Sequence, residues 1–128
     1  MRKINLDELE FLREKLRADY ILEHKGIVVV VEEVKGKAKT HDIKQLRATI
    51  ETLLSDPRIR REMQKTIGTN MKVVCGILHF HKGIDPMQLR IFLSQQLQLI
   101  RRNVRTNKAN CNQQLQSEIK KIMEEAKP

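Results

Sequence analysis

The chain has no tryptophan, one tyrosine and three phenylalanines among 128 residues. A core of stacked rings is excluded, and whatever is buried must be aliphatic. Cysteine is nearly as scarce. Cys75 and Cys111 stand far apart and form no CxxC pair, which argues against a disulfide scaffold and for a reducing compartment. No apolar signal region opens the sequence and no run approaches membrane-spanning length, so a soluble, intracellular, cytoplasmic protein with no membrane partner is expected. Acidic residues are also in deficit, 16 against 25 Lys plus Arg, for a formal charge of +9 and a pI near 9.8. Such a balance favours a polyanionic partner, nucleic acid first. The length suits one domain with a single core.

What is present centres on Ile27–Lys35, IVVVVEEVK. Five β-branched residues in succession predict a strand buried on both faces. Residues two apart share a face, so Glu33 and Lys35 project with Ile27, Val29 and Val31, while Glu32 lies opposite. Asp19–Glu23 reads as a second strand, joined through His24-Lys25-Gly26. A three-residue loop pairs Asp19 with Val31 and sets it diagonal to Glu33, roughly 7–8 Å away between backbones, close enough for two carboxylates to share a divalent ion. A two-residue Lys25-Gly26 turn puts Asp19 on the face of Glu32 instead, because a one-residue slip reverses every side chain. The sequence leaves both registers open.

Around this pair the pattern predicts a helix over Leu6–Leu16 and another over about His41–Leu54 capped by Thr40. A short basic helix follows over Arg58–Lys65, then a buried strand over Lys72–Phe80. Asp85 and Pro86 open a long helix to about residue 101. Residues 101–111 read as helix end and linker, and Gln113–Ala126 as an amphipathic helix. The expected fold class is α/β (α+β): a small sheet flanked by helices, the two core strands parallel across a helical crossover. The expected division is a core over 1–101 and a carboxy-terminal linker and helix over 102–128.

The residues then suggest a family. Asp19, followed by Glu33-Val34-Lys35 at the end of an apolar strand, resembles the D-(x)n-E-x-K signature of the PD-(D/E)XK nuclease superfamily. Asp42-Ile-Lys-Gln45-Leu46 is similar to the D-x-x-Q-L element of its resolvase-like and RecB-like members. Ala18 stands where the signature has proline. The resemblance spans about Leu6 to Leu99 and implies a restriction-endonuclease-like α-β-β-α-β core. It implies a metal-dependent nuclease hydrolysing DNA, with Asp19 and Glu33 holding Mg²⁺ or Mn²⁺, Lys35 positioning the attacking water and Gln45 supporting it. Some branches add an acid from the first helix, and Glu10 is the candidate among Glu8, Glu10 and Glu14. Lys37, Lys39, Arg58, Arg60, Arg61 and Lys65 would grip the phosphodiester backbone, DNA before RNA. Homodimerisation through the helix at 86–101 or the carboxy-terminal helix would engage two strands.

Blander readings stand beside these. Asp19, Glu33 and Lys35 also suit a salt-bridged strand end, and the basic surface a nucleic-acid-binding module without catalysis. The carboxy-terminal helix also suits a helical adaptor docking on a protein. His79 and His81 share a strand face and could bind Zn²⁺, but without further Cys or His at suitable spacing they read as a polar strand end.

Overall fold

Ile27–Val34 forms the middle strand, β3, of a mixed five-stranded sheet. The computed structural model describes residues 1–13, 18–80, 85–87, 90, 106–109 and 112–125. β2 (Tyr20–His24) runs antiparallel to β3, and β4 (Val73–Phe80) runs parallel on its other side. β1 (Arg2–Asn5) flanks β2 antiparallel, and β5 (Thr106–Ala109) flanks β4 parallel. The parallel pairing of β3 and β4 is the one expected of a helical crossover. Here the crossover holds two helices, α1 (Thr40–Ser55) and α2 (Pro57–Ile67).

Alternation sorts the valine run between two cores. Val28 and Val30 pack with Ile43, Leu46, Ile50 and Leu53 of α1 and Ile59 and Met63 of α2. Val29 and Val31 pack on the opposite face with Cys75 and Ile77 of β4 and Leu115, Ile119 and Ile122 of α3 (Asn112–Glu125). Burial on both faces is why the run carries no polar residue before Glu32.

Three local readings need correction, and one strand was not anticipated. Leu6–Leu16 is not one helix: two 3₁₀ turns, Leu6–Glu8 and Glu10–Leu12, still bury Leu6 and Leu12, and residues 14–17 lie outside the described set. Arg2–Asn5 is an edge strand, with Ile4 its one apolar residue, too short and polar to show alternation. The segment read as linker contains β5, another four-residue polar strand, which pairs with Gly76–His79. Thr40 begins α1 rather than capping it. Lys39 holds the cap position, and its N–H donates to the Asp42 carboxylate at 2.8 Å. Asp56 caps α2 by accepting from the Arg58 and Ile59 N–H groups. Asp85 accepts from the Met87 N–H as a helix cap would, but most of the helix expected to residue 101 lies outside the described residues, with His81 and Cys111.

Candidate active site

The β2–β3 turn decides where the acids fall. Lys25 (φ 52°) and Gly26 (φ 85°) both adopt left-handed backbone, which makes a two-residue hairpin. The pairs run from His24–Ile27 to Tyr20–Val31, so continued register sets Asp19 across from Glu32. Of the two open registers, this is the one that separates Asp19 from the face of Glu33.

The ladder does not continue regularly, however. The Asp19 N–H donates to the Val31 carbonyl at 3.1 Å, one residue short of Glu32, and the Asp19 carbonyl accepts from the Leu6 N–H. Its carboxylate Oδ2 takes the Glu33 backbone N–H at 2.7 Å. The Ala18 N–H meanwhile donates to Thr49 Oγ1 at 2.7 Å, tying the chain before Asp19 to α1. Asp19 therefore sits at a strand mouth between the two faces. Despite the register, Asp19, Glu33, Lys35 and Gln45 all line one open depression of about 660 Å³. It lies beyond the carboxyl end of β3, the end of a parallel pair where ligands collect.

The electrostatics are those of crowded acids. Glu32 is buried, 4% exposed. Burial first, then a hydrogen bond that the protonated Glu32 donates to the neighbouring Asp19 carboxylate and the charges of Asp19 and Asp42, push its pKa up to about 9. One of its oxygens, Oε2, is buried without a hydrogen-bond partner. Tyr20 lines the depression, and burial followed by the charges of Glu33 and Asp19 raises its phenol to about 12. Glu33 keeps its side chain 41% exposed, with Oε1 3.4 Å from Nδ1 of the fully buried His79.

Several of these residues escaped the sequence. Lys3 and Asn5 reach the depression from β1, whose existence the pattern hides. His79 faces Glu33 because the two are register partners across β3 and β4. A parallel alignment of the two apolar runs would have found that pair. Gln45, half-buried, reaches the depression from α1.

Other expected residues do not converge. Glu10 has an 86% exposed side chain 4.0 Å from Arg13 and does not line the depression, because the helix that would have aimed it inward is two 3₁₀ turns. Glu8 lines it instead. Arg58, Arg61 and Lys65 are exposed on α2 away from the depression, and Lys65 faces Glu62 at 3.5 Å. Arg60 is tied to the Leu54 and Met71 carbonyls at 3.5 and 3.4 Å, which explains its half-burial. Lys37 and Lys39 are exposed in the loop after β3.

Among the described residues no group of three or more His, Cys, Asp or Glu side chains is arranged to hold a metal ion. None of the described helices is long and apolar enough to cross a membrane. Compared with protein families, curated proteins and solved structures, the chain finds no match in any of the three.

Proposed function

We propose that the chain is a divalent-metal-dependent nuclease of the PD-(D/E)XK type that hydrolyses DNA phosphodiester bonds. The observation that carries this reading is the gathering of Asp19, Glu33, Lys35 and Gln45 in one open depression at the carboxyl end of β3. Asp19 and Glu33 would hold the ion. Two carboxylates suit Mg²⁺ or Mn²⁺, because Mg²⁺ retains most of its waters and needs no all-protein cage. The buried Glu32 Oε2 without a partner fits the same assignment, since crowded acids at a strand mouth are the environment a cation relieves. Once bound, the ion supplies a water of lowered pKa and offsets charge on the phosphate oxygens.

The chain's own groups do the rest. Lys35, a fixed cation beside Glu33, polarises and orients the attacking water. Gln45 orients water or a phosphate oxygen through its amide. Lys37 and Lys39 extend the positive surface from the depression along the backbone of the nucleic acid.

The test is cleavage of supercoiled and end-labelled DNA with Mg²⁺ or Mn²⁺. Wild type is expected to cut, and Asp19→Asn and Glu33→Gln each to lose at least about 100-fold in rate, with DNA binding in Ca²⁺ retained. Cleavage that survives both substitutions overturns the proposal. A second reading, a nucleic-acid-binding module without catalysis, is favoured by the engagement of Asp19 Oδ2 with the Glu33 N–H and of Glu33 Oε1 with His79. DNA binding with no cleavage under either metal would establish it.

A further inference from the structure

The opposite end of the sheet holds a second depression of about 720 Å³, between the β2–β3 turn, the start of β4 and α3. It shares no lining residue with the candidate active site. Its floor is apolar: Ile27 and Ile119 are buried there and Met123 is half-buried. Its rim is predominantly cationic, three lysines against the single acid Glu124. Lys25 comes from the turn, Lys72 from the residue before β4 and Lys120 from α3, and all three are exposed.

We propose that this depression binds an acidic peptide segment of a partner protein, seating one bulky apolar side chain on the floor and placing neighbouring carboxylates against the three lysines. Three observations select that occupant. An apolar floor open to water gains by covering, and its volume suits a large side chain with its flanking backbone. Cations set on three separate elements match several negative charges spread along a chain better than a single head group. The floor is aliphatic and thioether, and His24 at the rim is the one aromatic ring among the lining residues, so single-stranded nucleic acid would leave most of the apolar part unused. The site is independent of the hydrolytic reading and would recruit the chain to a partner through surface remote from Asp19 and Glu33.

The experiment uses the whole chain and a fluorescein-labelled peptide, Asp-Asp-Glu-Asp-Leu-Phe, followed by anisotropy. The parent peptide is expected to bind. Replacing Leu-Phe by Ser-Ser, or the four acids by their amides, should weaken it at least tenfold. Lys72→Glu combined with Lys120→Glu should do the same with unchanged thermal unfolding, and Met123→Asp gives a second variant directed at the floor. Asp19→Asn and Glu33→Gln should leave the affinity as it was, which separates this site from the nuclease reading. The proposal fails if no peptide binds. It also fails if the Ser-Ser peptide binds as well as the parent, or if a DNA oligonucleotide displaces the parent as readily as unlabelled peptide does; in either case the surface is a general polyanion site.

Discussion

The two ends of the sheet treat buried charge in opposite ways. At the hairpin end, Glu23 is buried yet satisfied: its Oε1 accepts the Gly26 N–H at 3.0 Å and its Oε2 lies 3.5 Å from the Arg2 guanidinium. At the carboxyl end of β3, Glu32 is buried beside Asp19 and Asp42 with one oxygen lacking a partner. The first arrangement is what stability alone selects, since buried polar groups cost free energy unless bonded. The second costs stability and is retained, the pattern expected where a fold gives way to a site. This contrast in acid satisfaction, more than any signature, singles out the end of the sheet to which the proposed hydrolytic site is assigned.

The largest expected effect comes from breaking the hairpin that sets the contrast. Gly26 has φ +85°, and a Cβ there would lie 2.7 Å from the Asn70 carbonyl oxygen, backbone that cannot swing aside. The Lys72 N–H also donates to the Gly26 carbonyl, fastening the turn to the chain before β4. Gly26→Ala should destabilise by about 3 kcal/mol, read by urea unfolding. A loss below about 1 kcal/mol would mean that the turn yields easily, and with it the register that sets Asp19 across from Glu32.

A smaller effect tests the contrast itself. Folded Glu32 keeps its proton up to about pH 9, whereas the unfolded carboxyl releases it near its ordinary value of 4.5. Between those limits the native state binds more protons than the unfolded one, so stability falls as pH rises. Glu32→Gln cannot ionise. Its advantage over wild type should be absent below pH 4.5 and grow to about 2 kcal/mol by pH 9. Glu23→Gln should show the reverse sign, losing about 1 kcal/mol at neutral pH as a satisfied charge is removed. Urea unfolding of both variants at pH 5, 7 and 9 reads the difference, and equal signs would erase the distinction between the two ends.

How much of this was legible depended on whether a residue's signal was local. The valine run, the helices over 40–55 and 57–67 and the strand over 73–80 were readable, because long apolar segments carry their period with them. β1 and β5 were not, since four mostly polar residues at a sheet edge have no period and are strands through their partners alone. The hairpin register was also undecided. Both loop lengths were compatible with the residues, and the choice rested on whether Lys25 would take φ 52°. Asp19, Glu33, Lys35 and Gln45 were nameable in advance; their convergence was not. It depends on the slip of the Asp19 N–H to Val31, a non-repetitive feature that strand alternation cannot anticipate.

The smallest effect concerns the strand that the sequence hid. Lys3 projects from β1 with its Nζ 4.3 Å from the centre of the Tyr20 ring, within the depression that also holds Asp19 and Glu33. An ammonium over a ring at an exposed edge contributes about 0.5–1 kcal/mol. The same cation sits where it offsets part of the acids' mutual repulsion. Lys3→Met keeps the aliphatic stem over the ring and removes the charge, so it should cost about 0.5 kcal/mol in low salt and less in 1 M salt, where the Debye length shrinks to about 3 Å. Urea unfolding of wild type and Lys3→Met at both salt concentrations reads the difference. Equal unfolding free energies in low salt would place the Lys3 charge outside the field of the depression and leave β1 an edge strand with no part in its chemistry.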